Sequence, residues 1–299
     1  VTLCDRTCRS PCAGVKFAQR EFVPFHATAH CEFNFCMTIT SAPLSFQQNS
    51  GRKIIIANWK MHGNLARNQR LVESYLDRLK SVHANVVVCV PYPYLAQIQS
   101  LLQGTHLAWG AQNVAKFDEG AYTGEVSADM LRDFGAQYVI IGHSERSTAY
   151  CESDENIAEK IMVAKRHGLT PELCVGETLL EREAGVMERV VGRQLETIIR
   201  LFGGEAFADT IISYEPIWAI GTGLAATAEQ AVAMHQFIRE TIARASQSAA
   251  ASLKILYGGS VNPQNAIQLL HQKEIDGALV GRCSLEAGQF IKICQSVSS

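Results

Sequence analysis

A closed (β/α)8 barrel over residues 51–299 is the fold this sequence predicts. Three observations predict it: eight short apolar runs of strand character, amphipathic helical patterns between them, and a span of 249 residues. Continuously apolar strands that alternate with helices indicate a parallel sheet buried on both faces. Eight such units fit a closed barrel, which takes about 250 residues. An open doubly wound sheet fits less well, because no GxGxxG fingerprint follows the first strand.

Residues 1–50 do not conform. They lack a sustained period of 2 or 3.6 and mix Pro, Cys, His and Phe without a core pattern. Five of the ten cysteines lie there. Cys4, Cys8 and Cys12 would share one helical face, but Pro11 interrupts the run and no fourth ligand is placed, so no metal centre is expected. A transit peptide should be poor in acids. Here Asp5, Glu21 and Glu32 nearly balance Arg6, Arg9, Lys16 and Arg20. The expectation is an N-terminal extension that is disordered or, up to Met37, not normally translated; peptides from 1–36 in the native protein would refute the latter.

From Gly51 the pattern is regular. Strands are predicted at 54–57, 86–90, 107–111, 138–141, 173–175, 211–214, 255–257 and 277–280, with helices such as 65–80, 153–167, 186–202 and 227–246 between them. Net charge is −2, with no basic stripe, which argues against nucleic acid as partner. No apolar run approaches the roughly 18 residues of a membrane span. The five later cysteines stand singly, as in reduced cytoplasmic enzymes.

In such a barrel the residues that follow each strand face the mouth of the active site. Those positions hold Asn58 and Lys60, Gln112 and Asn113, the run Gly142 to Arg146, Gly176-Glu177, Glu215, Gly258-Gly259-Ser260, and Gly281-Arg282. An ammonium, an imidazole and a carboxylate therefore converge on one rim. Lys60 can stabilise negative charge that develops on an oxygen. His143 opens a predicted helix, whose positive end disfavours the imidazolium and leaves a neutral donor to a carbonyl. Glu215, followed by a proline and a glycine-hinged loop, suits a base under a lid. The N–H groups of glycine-containing turns after strands six to eight suit a phosphate. Each feature has a plainer reading: an exposed lysine, a capping histidine, a solvated strand end, ordinary turns. Their convergence favours chemistry.

The stretches Asn58-Trp59-Lys60-Met61, Gly110-Ala111-Gln112-Asn113, Gly142-His143-Ser144-Glu145-Arg146, Cys174-Val175-Gly176-Glu177, Tyr214 to Gly223, and Tyr257 to Asn262 resemble the triosephosphate isomerase family, whose fold is the TIM barrel. The resemblance covers essentially all of 51–299. This family is a standard illustration of tuned acid–base chemistry. The resemblance implies that Glu215 is the base, that neutral His143 polarises the carbonyl and moves protons on the oxygens, and that Lys60, with Asn58 beside it, stabilises an enediolate. Glu145 and Cys174 support the site. Loop 216–223 is the lid, and Gly221, Ser260 and Gly281 line the phosphate site through their N–H groups; Arg282 beside them is a substrate-binding candidate by position alone, its guanidinium expected to favour solvent over the phosphate. No metal and no organic cofactor is needed. A homodimer is implied too, with Thr123 near the tip of the 112–125 loop against the partner.

Two positions depart from the family pattern. Arg282 stands where a second glycine is usual, which matters if that backbone needs a positive φ. Ser147 replaces a common second arginine, which puts a structural ion pair in doubt. The competing functions are an isomerase for a larger phosphosugar and a catalytically impaired barrel that binds phosphate ligands or a partner. Retention of Lys60, His143 and Glu215 together argues against the latter.

Overall fold

A computed structural model of the chain describes residues 51–221 and 224–297, all within one compact unit that spans 48–299. The readings made for 1–50, the cysteine spacing and the start at Met37 among them, lie outside the described residues. Eight parallel strands close into a barrel in sequence order: β1 (Lys53–Asn58), β2 (Ala84–Val90), β3 (Ala108–Ala111), β4 (Tyr138–Ile141), β5 (Thr170–Val175), β6 (Ile211–Tyr214), β7 (Lys254–Tyr257) and β8 (Gly277–Val280). The helices are α1 (Leu65–Arg78), α2 (Leu95–Leu102), α3 (Ala128–Asp133), α4 (Ser144–Tyr150), α5 (Asp154–Arg166), α6 (Leu179–Glu183), α7 (Met187–Phe202), α8 (Ala228–Ala245), α9 (Gln247–Ser252), α10 (Ala266–Leu270) and α11 (Ala287–Gln295). All eight predicted strands and the four predicted helices are present. β5 begins three residues before its predicted start, because Thr170, Pro171 and Glu172 carry no apolar signal.

The period of two along a strand divides the core into two layers. Ile55 and Ala57, Val86 and Val88, Val139 and Ile141, and Ile212 and Tyr214 face outward onto the helices. The alternate residues Ile54, Ile56, Val87, Cys89, Tyr138, Ile140, Cys174, Ile211, Leu256 and Leu279 fill the barrel interior. Capping residues start the helices. Asn64, Ser127 and Ser153 each accept a main-chain N–H of the first turn, and Thr178 and Thr227 form reciprocal capping boxes with Glu181 and Gln230.

Two glycines allow close approach of neighbouring strands. Gly277 has φ +156°, and a Cβ there would lie 1.8 Å from the Ile54 carbonyl oxygen where β8 closes on β1. A Cβ on Gly176 would lie 1.7 Å from the Glu215 carbonyl oxygen. Gly277→Ala is expected to lower stability by about 3 kcal/mol, measured by denaturant unfolding, since the clash is with main chain that cannot rotate away. An unchanged midpoint would overturn this account of the closure.

Candidate active site

The C-terminal ends of the strands surround a cavity of about 400 Å3. Asn58, Lys60, His143, Glu145, Glu215, Gly221, Ser260, Gly281 and Arg282 all line it, so nearly every predicted site residue meets in one place. Cys174 lies below, buried in the barrel interior, and Thr123 is exposed on the loop that follows β3.

Lys60 is held in an unusual backbone conformation, φ +52°, with its main chain pinned on both sides. Its N–H donates to Asn58 Oδ1 at 2.9 Å, and its carbonyl accepts from Gln112 Nε2 at 3.0 Å. Gln112 also binds the Cys89 carbonyl at 3.0 Å, which ties β1 and β3 to β2 at the rim. A left-handed lysine persists only where its surroundings over-determine it. The side-chain oxygen of Asn58 is thus spent on shaping Lys60. The ammonium meets Glu145 Oε1 at 2.5 Å. Burial pushes the Glu145 carboxyl up, but the Lys60 hydrogen bond and the nearby His143 outweigh it and hold it below the ordinary carboxylate range.

His143 is the N-cap of α4. The N–H of Glu145 donates to His143 Nδ1 at 3.2 Å, which makes Nδ1 an acceptor and leaves the ring proton on Nε2. Nε2 lies 3.1 Å from Glu215 Oε1, yet its N–H is not aimed along that line, and Oε1 has no hydrogen bond among the described residues. The other oxygen, Oε2, accepts the Ser144 N–H at 3.1 Å. The carboxylate, 2% exposed, is therefore tethered by one oxygen while the other stays unsatisfied. Beneath it, burial and then the Glu215 carboxylate push the Cys174 thiol well above its ordinary value, so it remains a neutral thiol.

The segment after Glu215 is anchored at both ends, which the sequence did not reveal. Trp218 Nε1 donates to Glu177 Oε1 at 3.0 Å, and the Ile217 N–H donates to the Glu177 carbonyl at 3.0 Å. At the far end the Ala226 N–H donates to the Tyr257 hydroxyl at 3.0 Å. Between them Gly221 takes φ +70°. Glu177 was legible only as part of a motif; its role needs partners from β6 and α6. Gln112 and Ser144 stood on the predicted rim with no role attached.

Neither departure disturbs the site. Arg282 is exposed, starts a short 3-10 turn (Arg282–Leu285), and is not among the described residues with positive φ, so a glycine is not required there. Ser147 is exposed, and Arg146 pairs instead with the buried Glu152, which Lys160 also binds.

Comparison with known proteins agrees with this geometry. The triosephosphate isomerase family model matches residues 53–297. The triosephosphate isomerase of Thiobacillus denitrificans is 52% identical over 247 residues, covering 83% of this chain and 99% of that protein. That of Nitrosomonas europaea is 52% identical over 241 residues, covering 80% and 96%, and that of Nitrosococcus oceani 49% over 244 residues, covering 81% and 98%. A barrel with a lysine, a histidine and a glutamate on one rim, matched over nearly the whole length of such relatives, makes this chain a member of the triosephosphate isomerase family.

Proposed function

We propose that this chain interconverts glyceraldehyde 3-phosphate and dihydroxyacetone phosphate through an enediolate, as a step of glycolysis and gluconeogenesis. One observation carries the reading: the half-tethered Glu215 carboxylate beside His143 Nε2, in a cavity that Lys60 also lines. Glu215 takes the proton from the carbon next to the carbonyl. The C–H electron pair becomes the new C=C bond, and the carbonyl π pair moves onto oxygen. His143 Nε2–H donates to that oxygen and passes protons between the two oxygens, and the Lys60 ammonium faces the negative charge. Glu215 then returns the proton to the neighbouring carbon. Gly221, Ser260 and Gly281, on loops after β6, β7 and β8, supply N–H groups for the phosphate, with Arg282 at the rim. Closure of 216–223 excludes water and keeps the intermediate planar, so that phosphate is not eliminated. The test is steady-state turnover of glyceraldehyde 3-phosphate by the full chain. Turnover of a longer aldose phosphate at equal efficiency would favour a broader phosphosugar isomerase.

The enzyme is further proposed to act as a cytoplasmic homodimer. Met61, next to Lys60, is 93% exposed, and Phe117 stacks on Tyr122 at 3.8 Å on the 112–125 loop, both rings more than a third exposed. Apolar side chains offered to solvent beside a site suit a partner surface. Among the described residues no helix is long and apolar enough to cross a membrane, and the five described cysteines are free thiols. Thr123→Arg is expected to yield monomers by light scattering and to lower turnover at least tenfold, given the cost of a misplaced site. Full activity in a monomer would end the dimer reading.

A further inference from the structure

The barrel interior holds one carboxyl group that the mechanism does not use. Glu172 lies on β5, is 0% exposed, and accepts from Ser213 Oγ at 2.6 Å through Oε1. Its Oε2 has no partner among the described residues. Cys174 sits two residues on along β5, and Ser213 pairs with Cys174 across to β6, two residues before Glu215. Residues two apart on a strand share a face at about 7 Å spacing. Glu172, Cys174, Ser213 and Glu215 therefore form one block of interior side chains, with the base at its top.

A carboxylate with one bare oxygen in an apolar interior is costly, whereas a neutral acid is far less so. The other titratable groups of the interior cluster are Cys89 on β2, Tyr138 on β4 and Cys174. Burial pushes each of these up, so all three stay neutral in the range where the enzyme works. Ile54, Ile140, Leu256 and Leu279 carry no charge, and Lys254, the first residue of β7 and two before Leu256, is paired with Asp276 at 3.2 Å at the end of the strand away from the base. Glu172 is then the group whose ionisation changes the charge beneath the base.

We infer that Glu172 is a positioning residue for Glu215: neutral, it leaves the base as the lone anion at the bottom of the site, and ionised, it adds a second negative charge that opposes the anionic substrate and enediolate. The inference rests on the isomerase reading above. Burial, only partly offset by the Ser213 hydrogen bond and reinforced by Glu215, raises the Glu172 carboxyl to about 8. Ionisation therefore falls within the working range of pH.

The full-length wild type and Glu172→Gln are compared in kcat/KM for glyceraldehyde 3-phosphate from about pH 5.5 to about pH 9.5. Wild-type kcat/KM is expected to fall about tenfold as the pH passes 8, while the Gln variant keeps its plateau and matches wild type in the acid range. Superimposable profiles, or a loss in the variant equal at every pH, would overturn the inference. Stability supplies a second readout. A raised folded-state value makes the stability due to Glu172 complete below about 4.5 and lost as the pH rises through about 8. Buried His235, lowered to about 4, slopes the opposite way in both chains and cancels in the difference. The Tm of wild type minus that of the variant should thus decline with pH; a constant difference would count against the inference.

A third measurement does not depend on turnover. The 13C-carboxyl resonance of Glu172 in labelled protein, assigned by its loss in Glu172→Leu should the Gln variant fail to fold, is expected to titrate near 8 and to move toward the ordinary range in Glu215→Gln. A midpoint near the ordinary glutamate value, or one indifferent to Glu215, would overturn the inference even if the isomerase reading held. Absence of turnover in the wild type would instead sink the isomerase reading and leave the coupling to be decided by this titration.

Discussion

Glu215→Asp is expected to lower kcat by about a hundredfold with little change in KM. The charge survives, so any loss reports on position. Oε2 of Glu215 is held by the Ser144 N–H at 3.1 Å, and Oε1 is the unsatisfied oxygen that must reach the substrate carbon. Removal of one methylene shortens that reach by about 1 Å, and proton transfer tolerates little misplacement. Two of the three phosphate loops follow β7 and β8, away from the substitution, so ground-state binding is kept. Steady-state kinetics in both directions checks this. A variant within a factor of three of wild type would mean that another group removes the proton.

Glu177→Ala should have the second-largest effect, with a loss of about 3 kcal/mol in stability and a fall in kcat. Glu177 is fully buried, and its Oε1 accepts from Tyr214 Oη at 3.0 Å, Trp218 Nε1 at 3.0 Å and Arg182 Nη1 at 3.1 Å. Truncation strands three donors at once. Arg182 also stacks 5.2 Å from the centre of the Trp218 ring, so the tryptophan loses both its acceptor and its lining. Trp218 stands three residues after the base, at the start of the lid. Release of that anchor should therefore slow closure as well as weaken the fold. Glu177→Gln keeps an acceptor oxygen and should cost less in both respects. Denaturant unfolding beside turnover separates the two effects: an Ala variant as stable and as fast as wild type would remove Glu177 from the lid.

The sequence by itself determined the barrel, since its apolar runs and helical periods are local properties that each segment carries alone. It also determined which side chains reach the mouth, because a residue that follows a strand has only one end of the barrel to face. Lys60, His143, Glu145, Glu215, Ser260, Gly281 and Arg282 were legible on that ground, Gly221 through the family resemblance, and all line the cavity. The tertiary structure alone decided how they are held. The left-handed Lys60 depends on Asn58 and on Gln112 after β3; the tautomer of His143 depends on the N–H of Glu145; the two ends of the segment that follows Glu215 are held by Glu177 after β5 and Tyr257 of β7. Arg282 looked troublesome in sequence only because the φ of a single residue cannot be read from its neighbours. Glu172 is the clearest case. In sequence it is an acidic residue after a proline that shortens a predicted strand, and only closure of the barrel turns it into a buried acid beneath the base. Periodicity is written along the chain, whereas hydrogen-bond partners and desolvation are set by residues far apart in it.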